Sequence, residues 1–180
     1  MKKIIFLDLD GVCCDFMGAA LKSLNKEELL NQWPPGTYNI EKAVGMDHLT
    51  FCNIMNNYDS YFWRNLEEYP WFWNLYNQLK GFGDVIFCSK PAISPQSLKG
   101  KLEWLQDRFG KEFRDYVFTD KKFYLANPNT VLIDDDERQV DPFRSYGGKA
   151  ILFPQLWNIN YKYMPYSLDF VMQMFCSECL

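Results

Sequence analysis

The chain has 180 residues, a length that suits one domain with a small insert. Apolar residues make up 48% of it and aromatic residues 18%, which is enough for a substantial core. The net charge is -4 and no basic run exists, which excludes a protein that binds duplex nucleic acid through many phosphate contacts. A single small anionic substrate is still compatible with this charge.

The chain is predicted to be cytoplasmic. The apolar run at the start is too short for a targeting segment and is interrupted by Asp8. No stretch approaches the length of a membrane-spanning helix, so no membrane partner is expected. The cysteines lack the regular spacing of a disulfide framework, and we interpret them as free thiols of a reducing compartment. They are Cys13, Cys14, Cys52, Cys88, Cys176 and Cys179.

Five short apolar runs predict five buried strands. They are rich in Ile, Val, Phe and Leu without polar alternation, which favours a parallel sheet covered on both faces. Helical patterns separate several of them, so we predict an α/β fold with a doubly wound, Rossmann-like parallel sheet and right-handed crossovers. The predicted strands are residues 3–7, 84–88, 115–118, 130–133 and 149–153.

A long gap follows the first strand. About 75 residues separate it from the second strand, far more than the dozen or so that one crossover needs. Helical fragments at 19–30 and 40–58 lie on either side of the turn-rich stretch QWPPGTY. We therefore predict a small helical cap, residues 16–80, inserted into an α/β core formed by residues 1–15 and 81–180.

Two helices are predicted after the cap. Leucine and phenylalanine recur at helical spacing over 98–109, and Gly110 stands where a helix should end. Near the C-terminus, Ser167 is predicted to cap a helix whose apolar face extends to residue 175.

Polar residues follow four of the predicted strands. In a parallel sheet the carboxyl ends of the strands share one edge, which is where such sheets bind ligands. These residues are Asp8 and Asp10 after the first strand, Ser89 and Lys90 after the second, Lys121 and Lys122 after the third, and Asp134, Asp135 and Asp136 at the fourth.

This set of side chains predicts metal-assisted phosphoryl chemistry. Clustered carboxylates repel one another unless a cation lies between them, and oxygen ligands suit Mg²⁺. A carboxylate is also a known nucleophile towards phosphorus, and a second one can act as general acid and base. A hydroxyl and a lysine can bind the phosphoryl oxygens.

The segments FLDLDGV, FCSKP, TDKK and VLIDDD, in this order, resemble the four signatures of the haloacid dehalogenase-like (HAD) phosphohydrolases. The long insert after the first segment resembles their cap. Within that superfamily, DLDGVCCDF, FWRNLEEYP, CSKP, LEWLQDRFG and VFTDKK resemble the 5'(3')-deoxyribonucleotidase branch. The resemblance extends over residues 3–153.

The resemblance implies roles for the carboxylates. Asp8 would be the nucleophile and a Mg²⁺ ligand. Asp10 would be the general acid and base, with its backbone carbonyl on the metal. Asp135 would be the more direct metal ligand of the acidic group, with Asp134 in support.

The resemblance also implies the phosphate-binding and substrate-binding residues. Ser89, where the branch usually has Thr, would bind the phosphoryl group together with Lys90 and Lys122, and Lys121 is the alternative to Lys122. Adjacent lysines are otherwise most often a solvated surface pair. The base would stack on aromatic residues after the first signature and in the cap, which otherwise would be ordinary core residues. These aromatic residues are Phe16, Phe62 and Trp63.

The resemblance therefore implies a Mg²⁺-dependent phosphatase of nucleoside monophosphates, with a preference for deoxy forms and a phospho-aspartate intermediate. Three alternatives are open: the same chemistry on another small phosphate ester or a nucleic-acid end, phosphoryl transfer to an acceptor other than water, and a catalytically silent binding module. Oligomeric state is not predicted.

Two features find no role in this interpretation. Cys176 and Cys179 form an isolated C-x-x-C pair, and a structural zinc site needs four ligands. His48 is the single histidine, and the sequence suggests no partner for it.

Overall fold

A computed structural model describes residues 2–179, apart from the side chains of residues 178 and 179. Its centre is a five-stranded sheet in which every neighbouring pair of strands is parallel, so the predicted fold class is confirmed. The strands are β1 (Lys3–Leu7), β2 (Gly83–Ser89), β3 (Tyr116–Phe118), β4 (Thr130–Asp134) and β5 (Lys149–Leu152), in the spatial order β3-β2-β1-β4-β5.

Both faces of the sheet are covered, as the continuous apolar strands predicted. Successive side chains of a strand point to opposite faces. On β1, Ile5 and Leu7 belong to the larger cluster of buried side chains, whereas Phe6 belongs to a smaller cluster with Val140 and Phe143 on the opposite face. Burial on both sides leaves the two ends of the strands, of which the carboxyl edge is one, as places where polar side chains reach solvent.

Eight α-helices surround the sheet in the described part of the chain, with three 3-10 segments and a final π-helical turn. The α-helices are α1 (Phe16–Ser23), α2 (Ile40–Ala43), α3 (His48–Asn57), α4 (Ser60–Arg64), α5 (Phe72–Lys80), α6 (Pro95–Phe109), α7 (Glu137–Ser145) and α8 (Ser167–Met174). The 3-10 segments are Glu27–Gln32, Lys122–Leu125 and Tyr161–Tyr166, and the π turn is Phe175–Cys179.

The helical fragments predicted in the insert differ from the observed helices. The first one begins earlier than residue 19, because the Asp15 carboxylate accepts a hydrogen bond from the Gly18 backbone N–H and starts α1 there. The second one, 40–58, is two helices. Asp47 accepts from the Thr50 backbone N–H and so begins α3 separately from α2.

Gly110 ends α6 with a φ of 96°, as predicted. The prediction that Ser167 caps α8 is wrong. Ser167 already has a helical backbone, because the 3-10 segment before it runs directly into α8. Its hydroxyl donates to the carbonyl oxygens of Pro154 and Met164, at 3.0 and 2.8 Å, and accepts nothing from the helix N–H groups.

The segment between β1 and β2 divides into two parts. Helices α1 to α4 precede α5, and α5 packs against β2, with the ring centroids of Tyr76 and Phe87 5.7 Å apart. Helix α5 therefore covers the sheet, although it lies inside the residues 16–80 predicted as the cap. The helices before it lie towards the carboxyl edge, where α4 packs on α6.

The contact between α4 and α6 depends on a glycine. A Cβ atom at Gly100 would lie 2.4 Å from the Ser60 carbonyl oxygen and 2.5 Å from the Trp63 Cβ, both far below contact distance. The Arg64 guanidinium holds the same two helices together through two hydrogen bonds to Asp107, at 2.7 and 2.8 Å. This close approach positions the residues of α4 beside those of α6.

None of the helices described between residues 2 and 179 is long and apolar enough to cross a membrane. Among the cysteines whose side chains are described, five are free thiols: Cys13, Cys14, Cys52, Cys88 and Cys176.

Candidate active site

Three buried carboxylates meet at the carboxyl edge of the sheet. Asp8 follows β1, Asp134 is the last residue of β4, and Asp135 comes directly after it. Each offers an oxygen, and these oxygens lie within 4.8 Å of one another. The sequence predicted this meeting because the carboxyl ends of parallel strands share one edge, and in the structure β1 and β4 are neighbours.

Lys122 lies among these carboxylates. Its ammonium group donates to Asp8 Oδ1 at 2.7 Å and to Asp134 Oδ2 at 2.6 Å, and the side chain is 1% exposed. Lys122 opens a 3-10 segment just after β3, and this turn directs it inwards. The neighbouring Lys121 is exposed, so the structure brings Lys122 and not Lys121 to the site.

The electrostatics of the cluster favour a bound cation. Burial, followed by the charges of Asp134 and Asp10, raises the pKa of Asp8 to about 7 despite the opposing effect of Lys122. Burial and the same kind of repulsion hold the pKa of Asp135 well above its ordinary value. One ammonium group does not balance three carboxylates. An all-oxygen, negatively charged, buried set of donors fits Mg²⁺.

Asp10 faces a second buried lysine. Lys101 on α6 donates to Asp10 Oδ2 at 2.5 Å and to Ser89 Oγ at 3.1 Å, and it is 1% exposed. Lys101 was not among the predicted site residues. A signal was present, because Lys101 lies one turn before Trp104 on the buried stripe of α6. Because of its hydrogen bond with Lys101, the carboxylate of Asp10 points to that lysine and is not part of the cluster formed by Asp8, Asp134 and Asp135.

The loop after β1 fits closely around Asp135. Gly11 has a φ of 76°, and a Cβ atom on it would lie 2.2 Å from Asp135 Oδ2. The same oxygen accepts a hydrogen bond from the Trp157 indole N–H at 2.6 Å. Asn158 donates to the Asp135 carbonyl oxygen at 2.9 Å. The segment after β5, which supplies these contacts, was not predicted to belong to the site.

Two adjoining cavities open above the carboxylates. The first, of about 150 Å³, is lined by the carboxylate cluster and Lys122. The second, of about 320 Å³, is lined mainly by apolar and aromatic residues of the cap and of the loop after β2. Five residues line both cavities and form the passage between them: Asp10, Phe16, Tyr38, Lys90 and Arg138. We call the second one the aromatic cavity.

Of the three aromatic residues predicted to bind a base, two line the aromatic cavity. Phe16 and Trp63 stack with ring centroids 5.4 Å apart and planes inclined by 8°. Phe62 does not line it. Phe62 stacks on Tyr58 at 4.4 Å and lines a separate cavity of about 630 Å³. Tyr38, which the sequence analysis did not select, lies under the guanidinium of Arg138 at 4.4 Å.

The remaining predicted residues lie at the same edge. Ser89 is buried beside Lys101, and Lys90 is exposed at the passage between the cavities. Asp136 forms an ion pair with Arg138, with 2.8 Å between Oδ2 and Nη2.

Sequence comparison identifies the family. The profile of the family described as 5' nucleotidase, deoxy (pyrimidine), cytosolic type C protein matches residues 2–165. The chain belongs to this family. As a member of this nucleotidase family within the HAD superfamily, it is a phosphomonoester hydrolase that acts on nucleotides. The predicted superfamily, branch and enzyme class are confirmed.

Individual relatives agree with this assignment. A protein of Staphylococcus epidermidis named as a candidate 5'(3')-deoxyribonucleotidase is 29% identical over 168 residues, which cover 87% of this nucleotidase and 85% of the relative. The 5'(3')-deoxyribonucleotidase of Bacillus subtilis is 25% identical over 166 residues, 89% and 90% of the two chains. Among solved structures, the magnesium-bound HAD-hydrolase YfnB of Bacillus subtilis superposes with a TM-score of 0.53 at 14% identity, over 83% of this chain and 85% of that one. That likeness shows the fold.

Proposed function

We propose that the enzyme hydrolyses nucleoside monophosphates, preferentially deoxy forms, through a phospho-aspartate on Asp8 with Mg²⁺ as cofactor. The observation that carries the proposal is the ammonium group of Lys122, buried between Asp8 and Asp134 and next to Asp135. At this open edge of a parallel sheet, a carboxylate can act as the nucleophile and the buried lysine can bind an anion. The carboxylates together can bind a metal ion at the same point.

The side chains of Asp8, Asp134 and Asp135 would bind the metal ion. The backbone carbonyl oxygen of Asp10, which the sequence predicts as a metal ligand, would be the remaining protein ligand. When bound, Mg²⁺ would offset the negative charge of the phosphoryl group and of the carboxylates around it. Lys122 lies between two of these carboxylates and is placed to donate to the phosphoryl oxygens as well.

In the first step, an Asp8 carboxylate oxygen forms a bond to phosphorus, and the bond from phosphorus to the sugar oxygen breaks. Asp10 gives its proton to that leaving oxygen. Lys101 occupies Asp10 Oδ2, so Oδ1, which has only the long contact of the Cys14 thiol at 3.7 Å, is the oxygen proposed to pass the proton. Ser89, Lys90 and Lys122 bind the phosphoryl oxygens, on which charge is spread in the transition state.

In the second step, Asp10 takes a proton from a water molecule. The resulting hydroxide attacks phosphorus, the bond to the Asp8 oxygen breaks, and inorganic phosphate leaves. Asp8 is again a carboxylate and Asp10 is again protonated, so the pair is ready for the next substrate.

The aromatic cavity is the proposed nucleoside site. Phe16 lines the passage to the phosphoryl site, is half-buried, and presents flat apolar surface that suits a planar base better than a sugar. Trp63 is buried, lines the same cavity and stacks on Phe16. Phe62 supports Trp63 edge-on, with centroids 5.2 Å apart, and we do not place it against the base. The proposed cap is therefore residues 16–71, because α5 packs on the sheet. A cytoplasmic location stays a prediction.

The test is phosphate release from a panel of 5'- and 3'-deoxyribonucleotides, the matching ribonucleotides, several sugar phosphates and oligonucleotides with phosphorylated ends. Deoxyribonucleotides are expected to have the highest kcat/KM. Sugar phosphates or phosphorylated oligonucleotide ends that exceed them by more than about tenfold, a difference of 1.4 kcal/mol in transition-state binding, would overturn the substrate assignment. Added nucleoside or alcohol acceptors reveal transfer, because phosphorylated acceptor would then accumulate in place of free phosphate.

A further inference from the structure

The segment that follows β5 contacts Asp135 and the loop after β1 through three buried polar side chains. They are Gln155, Trp157 and Asn158, each at most 4% exposed. The Trp157 indole N–H donates to Asp135 Oδ2 at 2.6 Å. Asn158 donates to the Asp135 carbonyl oxygen at 2.9 Å, and Gln155 donates to the Gly11 carbonyl oxygen. The proposed hydrolysis of nucleotides uses none of these three side chains.

Asn158 fixes the backbone of the segment that carries the indole. Besides Asp135, its amide nitrogen donates to the Phe153 carbonyl oxygen at 2.7 Å. Its side-chain oxygen accepts hydrogen bonds from the backbone N–H groups of Gln155 and Asn160, at 3.4 and 3.0 Å. A buried amide with all these partners is strongly held, because losing any of them would leave a polar group unpaired. The place of the indole N–H is therefore set by the fold itself.

The two carboxylate oxygens of Asp135 have different surroundings. Oδ2 accepts the hydrogen bond from the indole and lies against the loop after β1, where a Cβ atom on Gly11 would be 2.2 Å from it. Oδ1 accepts no hydrogen bond from the described residues. It is not enclosed either, because the only fully buried side-chain nitrogen or oxygen without a partner among them is Trp63 Nε1. Oδ1 is therefore the oxygen that Asp135 presents to the cavity of about 150 Å³ that it lines.

We propose that Trp157 is a positioning residue that makes Asp135 a one-oxygen ligand and so favours Mg²⁺ over Ca²⁺, given the metal site of the proposed function on which this inference rests. With Oδ2 held by the indole, Asp135 offers Oδ1 alone. Mg²⁺ requires near-octahedral geometry and completes its shell with water, so single carboxylate oxygens suit it. Ca²⁺ is larger, takes about six to eight oxygens and readily binds both oxygens of one carboxylate.

Lys122 restricts the other two carboxylates in the same way. It donates to Oδ1 of Asp8 and to Oδ2 of Asp134. Each carboxylate of the cluster thus has one oxygen bound to a protein donor, and binding of an ion through both oxygens would compete with that hydrogen bond. Lys122 is charged and is also proposed to bind the phosphoryl group. Trp157 is neutral, so removing its N–H tests ion selectivity without changing the charge of the site.

The experiment measures the affinities of the full chain for Mg²⁺ and Ca²⁺ by displacement of bound Mn²⁺, without substrate. Mn²⁺ suits the same oxygen ligands, and its EPR signal reports how much of it is free. In Trp157→Phe, which keeps an aromatic ring and loses the N–H, the affinity for Mg²⁺ should fall about tenfold, the lower end of the usual cost of removing a partner of a metal ligand. The affinity for Ca²⁺ should change little, because the released Oδ2 becomes a second oxygen for the larger ion. The ratio of the two affinities should therefore fall about tenfold.

Trp73→Phe is the matched control. Trp73 lies on α5, is 40% exposed, and its indole N–H makes no hydrogen bond to the described residues, so both affinities should stay at the wild-type values. If Trp157→Phe does not fold, 3-benzothienylalanine at position 157 provides the same test, because it replaces the indole N–H by sulfur in a ring of the same shape.

The outcomes separate this inference from the proposed function. An unchanged ratio of Mg²⁺ to Ca²⁺ affinity in the folded variant, whether both affinities are kept or both fall equally, would overturn the role of Trp157. A wild type that binds no Mn²⁺ would overturn the proposed metal site and this inference together. The expected shift in a protein that releases no phosphate would support the role of Trp157 and overturn the hydrolysis alone.

Discussion

Lys101 shows how one side chain organises the acid-base centre. It is almost fully buried and is held by Asp10 and Ser89, which come from two different strand ends. A buried ammonium group is costly unless it is paired, so its position is strongly determined by these two partners. Asp10 is in turn held by Lys101 at Oδ2, while Oδ1 has the weak contact of the Cys14 thiol at 3.7 Å, so the two oxygens differ in the way that a directed proton transfer requires.

Removing this ammonium group should impair proton transfer. In Lys101→Met, Asp10 loses its buried partner and its orientation, so kcat for phosphate release should fall by about 10²-fold, the lower end of general acid–base contributions. Lys99→Met is the matched control, because Lys99 is exposed on the same helix. Equal kcat values for the two folded variants would show that Lys101 does not position the acid.

Gly11 is required by the close approach of Asp135. Gly11→Ala should lower the affinity for Mg²⁺, because the new Cβ would lie 2.2 Å from Oδ2 of Asp135 and would displace a carboxylate that is proposed to bind the metal. Its positive φ adds a backbone strain of about 1–3 kcal/mol. Gly147→Ala is the control, since Gly147 has a φ of 88° and nothing within 4 Å of a built Cβ. Calorimetric titration of both variants with Mg²⁺ distinguishes a loss of metal affinity from the backbone strain that the two variants share. An unchanged Mg²⁺ affinity in folded Gly11→Ala would contradict the proposed ligand role of Asp135.

At the scale of elements, the site depends on how α4 rests on α6. Helix α6 carries Lys101 towards the carboxylates, and α4 carries Trp63 to the aromatic cavity. Both positions follow from one tight crossing at Gly100, where the two backbones meet without an intervening side chain. The packing of these two helices therefore determines the distance and orientation between the acid-base centre and the proposed base site.

Adding one methyl group at this crossing should separate the helices. Alanine is normally better than glycine inside a helix by about 1 kcal/mol, yet Gly100→Ala is expected to destabilise the fold because its Cβ collides with the Ser60 carbonyl oxygen. Gln96→Ala on the exposed side of α6 is the control. Urea denaturation measures both variants, and a Gly100→Ala protein as stable as the control would refute the tight crossing.

At the scale of the whole molecule, the sheet concentrates negative charge at one edge. Among the described residues, three carboxylates and Lys122 lie at this edge in a buried pocket. The pKa of Asp8 is raised to about 7, mainly by burial. Without a bound metal ion, repulsion among these carboxylates lowers the stability of the fold. Metal binding should relieve this repulsion.

The raised pKa predicts how stability depends on pH. Between the ordinary pKa of 3.8 and about 7, Asp8 stays protonated in the metal-free fold but is ionised in the unfolded chain. The unfolded chain then binds fewer protons, so this group's contribution to stability is present at low pH and is lost as pH rises through that window. Mg²⁺ needs the ionised form and should therefore raise the Tm more at pH 8 than at pH 5. Thermal unfolding at both pH values tests this, with Asp8→Asn as control. Equal stabilisation at both values would contradict the assigned shift.

The sequence predicted the sheet and much of its functional edge for one physical reason. Buried parallel strands are continuous apolar runs, and residues that follow them must meet at one edge, which brought Asp8, Asp134 and Lys122 together. The positions of site residues that lie on helices were harder to predict. Lys101 was missed, and Phe62 and Trp63 could not be told apart, because the direction of each depends on how α4 crosses α6.

The central claim is that Asp8 attacks phosphorus with the help of a bound metal. The most direct measurement is phosphate release from deoxyribonucleoside monophosphates by wild type and Asp8→Asn, each with Mg²⁺ and with EDTA. We predict release by wild type with Mg²⁺, little release with EDTA, and a near-complete loss of turnover in folded Asp8→Asn. Release at the wild-type rate by Asp8→Asn would contradict the claim.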